Sequence, residues 1–122
     1  MKFLCLIHLD ESMLAAMPEH EMSALNARHV AFNDSLRASG HFIEAEALGP
    51  GRSAATIRLR HGTPGITDGP FAETKELVAG FYLIEARDMA EATEIASRIP
   101  SAPLGTIEVR PTRHLLVDGR EV

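Results

Sequence analysis

Residues 3–9 read Phe3-Leu4-Cys5-Leu6-Ile7-His8-Leu9, a run that is largely apolar on both parities of a strand. Extended backbone sends successive side chains to opposite faces. Phe3, Cys5, Ile7 and Leu9 therefore share one face, and Leu4, Leu6 and His8 the other. A strand apolar on both faces is buried on both faces, so the sheet that holds it must be covered twice. Residues 78–86, Val78 to Ala86, make a second buried strand. Only two helical patterns are available as cover, residues 18–39 and 88–99. Two helices shield one face of a four-stranded sheet. The simplest cover for the other face is a second copy of the chain, so a symmetric homodimer is expected.

The remaining elements fit between these. Strand 2–9 stops at Asp10-Glu11. The first helix opens at Pro18, suited to a first turn that needs no N–H, with Met17 at the N-cap and Gly40 closing it. A strand follows at 42–48, then a turn at Gly49-Pro50-Gly51. Residues 54–60 alternate, with Ala55, Ile57 and Leu59 on one face and Thr56, Arg58 and Arg60 on the other, as in a half-exposed strand. Residues 61–76 read as loop with room for a short strand at 65–68. Asp88 with Glu91 starts the second helix, and Pro100 ends it. Residues 106–110 form a last core strand, and Leu115-Leu116-Val117 in the tail a short edge strand. The order β-α-β-(hairpin)-β-α-β predicts an α+β, ferredoxin-like split βαβ sheet with both helices on one face.

Composition narrows the function. At 122 residues the chain is one domain, residues 1–122, with 112–122 as a C-terminal tail. Twelve Lys and Arg against 17 Asp and Glu leave a net charge of −5. Such a balance does not recruit phosphates, which argues against nucleic acid and against a polybasic membrane anchor. A single cysteine, Cys5, excludes an internal disulfide and any Cys-pair zinc site, and suits a reducing cytoplasm. The N-terminal apolar run is shorter than a secretory core, and no stretch nears a span of about 20 residues. The expectation is a cytoplasmic protein.

The first helix carries the most informative local feature. Its inward stripe reads Met22, Leu25, His29, Phe32, Leu36. An imidazole sits mid-stripe, and burying it unpartnered costs about 1–3 kcal/mol. His29 therefore has a hydrogen-bond partner or lines a cleft. Asp68, Glu46 and Asp10 are the candidate carboxylates, although Asp68-Gly69-Pro70 also reads simply as a turn. The six histidines show no metal-binding helix pair and no His-Glu-x-x-His. No Gly-rich loop leads from a strand into a helix. No metal and no cofactor are expected.

The run Asp68-Gly69-Pro70-Phe71-Ala72-Glu73-Thr74-Lys75-Glu76, followed by Gly80-Phe81-Tyr82-Leu83-Ile84, resembles the signature of the YCII-related family in its DGPF-motif branch. The resemblance extends to the first strand with Asp10-Glu11, to His29 with Ala31-Phe32, and to Ile107-Glu108-Val109-Arg110-Pro111. It implies a dimeric α+β barrel with a cleft holding a histidine and an aspartate. By motif these are His29 and Asp68, which become the candidate catalytic pair. One relative in the wider family acts as a dehydrochlorinase on a chlorinated hydroxyquinol, and many members are encoded beside alternative sigma factors. The chain departs from the family pattern at Met17 in place of a capping Ser, at Ala79 in place of a Gly, and at His8 in place of a Tyr.

A neutral imidazole is the usual base near neutral pH, and a carboxylate on one ring nitrogen would fix its tautomer. With Asp68 ionised against the ring, the His29 pKa is expected above its unfolded value. His8, Pro70, Phe71 and Lys75 are the candidate binding residues around the pair. Cys5, buried and without a neighbouring cation, is not a candidate nucleophile. Two function classes follow: a small cofactor-free acid–base enzyme acting on a small organic molecule, lyase- or isomerase-like, and a non-catalytic dimer that binds a ligand or protein in a regulatory role.

Overall fold

The computed structural model describes residues 1–122. Its main sheet has four antiparallel strands in the order β2-β5-β1-β6, formed by β1 (Lys2–Asp10), β2 (Phe42–Ala47), β5 (Glu76–Glu85) and β6 (Thr106–Pro111). The helices α2 (Glu19–Ser39) and α3 (Met89–Ser97) are the two crossovers. This is the ferredoxin-like α+β arrangement, with β1 and β5 at the centre.

The core lies between one sheet face and the helices. Phe3, Cys5, Ile7 and Leu9 of β1 and Tyr82 and Ile84 of β5 pack with Phe32 and Leu36 of α2. Ala92, Ile95, Ala96 and Ile99 of the α3 region complete the cluster. The other face presents Leu4, Leu6, Phe81 and Leu83, paired across β1 and β5 as Leu4 with Leu83 and Leu6 with Phe81. Charged residues flank them: Glu44 and Glu46 on β2, Glu108 and Arg110 on β6. No helix of the chain covers this apolar centre.

Local chemistry sets the ends. Asp88 Oδ1 accepts the Glu91 N–H at 2.9 Å, and the Glu91 carboxylate accepts the Arg87 N–H at 3.0 Å, a capping arrangement that starts α3. Gly40 ends α2 at φ +81°, a left-handed position that other residues resist. Between β1 and β5 the register slips: Ile7 faces Gly80, His8 faces Val78, and Ala79 is the extra residue of a bulge.

Four local expectations change. A short helix α1 (Glu11–Ala16) follows β1, capped by Asp10, whose carboxylate accepts from the Ser12 N–H at 2.9 Å. Pro18 is the N-cap of α2 and makes no side-chain cap, so the first helical residue is Glu19. The loop read over 61–76 contains a full strand β4 (Thr63–Asp68), paired with β3 (Ala55–Arg60) in a separate hairpin. Ile57, Leu59 and Ile66 are about two-thirds exposed there, because the hairpin stands off the core instead of lying against it. The tail pairs with itself, β7 (Leu116–Val117) with β8 (Arg120–Glu121), and adds no edge strand to the main sheet.

Candidate functional site

Helix α2 meets the sheet only along its C-terminal half. Phe32 and Leu36 belong to the continuous core, whereas Leu25, two turns earlier, is buried but stands outside it. The gap is a cavity of about 550 Å³. Met22, Leu25, Asn26, His29 and Asn33 of α2 form one wall. Ile7, Leu9, Gly80 and Tyr82 from the sheet form another, and residues 48–50 with Arg52 form the rim. The bulge at Ala79 is part of the lining. Most lining side chains are apolar with a few convergent polar groups, the usual character of a small-molecule site.

The rim is held in place. The Gly51 N–H donates to Glu11 Oε2 at 2.8 Å. A Cβ on Gly51 would lie 2.7 Å from Leu77 Cδ1 and 3.6 Å from Pro70 Cγ, so the turn is packed between them. The unexpected helix α1 thus contributes directly to the site: its first residue, Glu11, anchors the rim.

His29 is half-buried on the cavity wall. Its Nδ1 lies 2.8 Å from the Tyr82 hydroxyl, and the rings stack at 19° with centroids 6.1 Å apart. Tyr82 Oη–H donates to Asn33 Oδ1 at 2.5 Å. The single hydroxyl proton being given to Asn33, the Tyr82 oxygen accepts the hydrogen of Nδ1. His29 is therefore the Nδ1–H tautomer with the amide oriented in this way, and Nε2 carries the lone pair. Nε2 has no protein partner and is reached by solvent. Burial lowers the His29 pKa below its ordinary 6.5, and the Arg28 charge adds to the effect. Burial also pushes the Tyr82 phenol up to about 12, so it remains a neutral hydroxyl near neutral pH.

Asp68 does not partner His29. It lies exposed at the end of β4, opposite Ala55, and its carboxylate makes no hydrogen bond. The turn explains it: Gly69 has φ +99°, its N–H donates to Ala54 O at 2.7 Å, and its carbonyl accepts from Thr56 Oγ1 at 2.9 Å. With no carboxylate on the ring, the expected rise of the His29 pKa is reversed, because desolvation acts unopposed.

The other expected binding residues also lie off the cavity. His8 Nε2 is 3.4 Å from Glu108 on the helix-free face. Pro70 supports the rim from behind. Phe71 is exposed, with the Arg58 guanidinium 5.3 Å above its ring. Lys75 is exposed and makes no ion pair, though its charge helps to lower the Asp10 pKa after the Ser12 hydrogen bonds. No three His, Cys, Asp or Glu side chains converge as a metal site.

The YCII-related domain family matches residues 1–115. The chain belongs to the YCII-related family. It is also 34% identical over 119 residues, covering 91% of each chain, to an uncharacterised protein of Rhizobium meliloti (strain 1021). Among the residues of this YCII-related chain's cavity that the sequence pattern does not mark are Tyr82, Asn33 and Ser101. Two signals bore on them. Asn33 stands four residues after His29, on the same helix face. Tyr82 is the sole tyrosine, and a buried phenol needs a hydrogen-bond partner.

Proposed function

We propose that this YCII-related protein, of the DGPF branch by its Asp68-Gly69-Pro70-Phe71 segment, binds a small and largely apolar organic molecule in the His29 cavity and takes a proton from it. Nε2 of His29 is the general base. The observation that carries the reading is the asymmetry of the ring: Nδ1 is held by the Tyr82–Asn33 relay, while Nε2 is unpaired on the cavity wall. Tyr82 takes the orienting role expected of Asp68. Because its hydroxyl is neutral, it fixes the tautomer without raising the histidine's pKa. The lowered pKa favours the unprotonated ring, the form competent as a base, near neutral pH. Acyl transfer is not supported, since no serine, threonine or cysteine is hydrogen-bonded to His29.

A homodimer belongs to the same proposal. Leu4, Leu6, Phe81 and Leu83 form an apolar centre with a charged rim, the composition of an interface core. Its cover by a second copy would complete the expected barrel.

Nitrobenzisoxazole tests the base. Removal of its C–H proton breaks the adjacent N–O bond and releases a yellow cyanonitrophenolate, with no other reactant. General bases contribute about 10²–10⁴-fold, so wild type should exceed buffer and His29→Ala should lose about 100-fold or more of that excess. The rate should rise with pH with its midpoint below 6.5, because burial lowers the His29 pKa. Equal rates in wild type and His29→Ala would refute the base. Binding of the probe without turnover would move the reading to a non-catalytic ligand-binding protein.

A further inference from the structure

Ser101 is the chain's one buried side-chain polar atom without a partner: the residue is 1% exposed and Oγ makes no hydrogen bond. It also lines the His29 cavity. Its position is informative. Ser101 is the N-cap of the 3₁₀ turn Ala102–Leu104, where a serine hydroxyl ordinarily accepts a backbone N–H, yet it makes no such bond. The hydroxyls of Ser35, Ser39, Ser53 and Ser97 are all satisfied by a carbonyl three residues back. Leaving a hydroxyl buried and unpaired is unfavourable, and an alanine would fill the same space without that penalty.

The surroundings limit what the hydroxyl can receive. The most deeply buried lining residues, Ile7, Leu9, Leu25 and Tyr82, carry no charge. The lining's one guanidinium, Arg52, is on an exposed residue of the rim, and the same lining holds the carboxylates of Glu11 and Glu46. A carboxylate placed against Ser101 would be a buried charge without a counter-charge.

We propose that Ser101 Oγ is the inner hydrogen-bond anchor of the ligand and takes a neutral carbonyl or hydroxyl oxygen, so that the ligand enters uncharged end first. This rests on the reading of the cavity as a ligand site and adds its polarity. It makes Ser101 a specificity residue that does not touch the proton being moved.

The probe is prodan, a naphthyl ketone whose emission moves to the red when its carbonyl accepts a hydrogen bond. A ketone oxygen has no hydrogen to give to His29 Nε2, so the assay isolates the serine from the base. Fluorescence titration of wild type, Ser101→Ala and Ser101→Thr is read beside their melting temperatures without probe. One net hydrogen bond corresponds to about 2–10-fold in affinity. Ser101→Ala should bind prodan more weakly by that factor, emit further to the blue when saturated, and melt no lower than wild type. Ser101→Thr should restore the red-shifted emission. Identical affinity and emission in wild type and Ser101→Ala would overturn the anchor, as would no binding to wild type or a lower melting point for probe-free Ser101→Ala. A protein inert toward nitrobenzisoxazole that still distinguishes Ser from Ala at position 101 would overturn the base alone. A protein active as a base but indifferent at position 101 would overturn the anchor alone.

Discussion

Tyr82→Phe removes one oxygen and leaves the ring, which packs edge-on to Phe32 with centroids 5.6 Å apart. The lost atom makes two hydrogen bonds, 2.8 Å to His29 Nδ1 and 2.5 Å to Asn33 Oδ1. Each is worth about 1 kcal/mol net, and a group left buried without a partner costs about 1–3 kcal/mol more. Both former partners line the cavity and are only partly buried, so water can replace part of what is lost. The expected destabilisation is therefore about 1–2 kcal/mol, below the full sum. Urea denaturation followed by circular dichroism should show a lower midpoint with unchanged slope. A double-mutant cycle with Asn33→Ala isolates the bridge. Neighbours in one network couple by about 0.5–3 kcal/mol, so the two losses should not add. Wild-type stability in Tyr82→Phe, or strict additivity in the cycle, would refute the relay.

Three further outcomes follow from the same geometry. The folded pKa of His29 lies below 6.5, so the unfolded chain binds its proton more readily. The linked stability is full above about 6.5 and is lost as pH falls through the folded value. Denaturation midpoints should show this slope in wild type, less of it in His29→Phe, and the reverse slope would contradict the account. Cys5 is fully buried and its thiol is pushed up to about 11 by burial. It should be inert to Ellman's reagent in the native protein and react on unfolding; rapid native labelling would be inconsistent with the β1 core. A Cβ at Gly105 would lie 2.1 Å from the His8 carbonyl oxygen. Gly105→Ala should therefore cost about 3 kcal/mol or more, read as a lower melting temperature, whereas a wild-type melt would show that β1 and the start of β6 do not approach so closely.

The sheet was legible because its evidence is periodic. Residues 3–9 are apolar on both parities, and Phe3, Cys5, Ile7 and Leu9 do enter the core. The stripe of α2 was legible too, and its polar interruption marked the cavity wall. Six-residue α1 was too short for any period to declare itself, and its start rests on one Asp10 cap. The partner of His29 was hidden for another reason. The bond to Tyr82 spans 53 residues and depends on which turn of α2 crosses which residue of β5. No local pattern specifies that crossing. Asp68 was attractive as a carboxylate in a family motif, but the Asp-Gly turn uses it at the surface. Ser101, between Pro100 and Ala102-Pro103, reads as ordinary loop until its burial and its idle hydroxyl are seen together.

Tyr82, not Asp68, holds the His29 ring, and the proposed base is the free Nε2. Nitrogen-detected NMR titration of His29 in wild type, Asp68→Asn and Tyr82→Phe tests it most directly. The expected result is an Nδ1–H tautomer in wild type and a pKa below 6.5. The titration should be unchanged in Asp68→Asn, and the tautomer preference weakened in Tyr82→Phe. An Nε2–H tautomer, or a His29 pKa that starts above 6.5 and falls in Asp68→Asn, would contradict it.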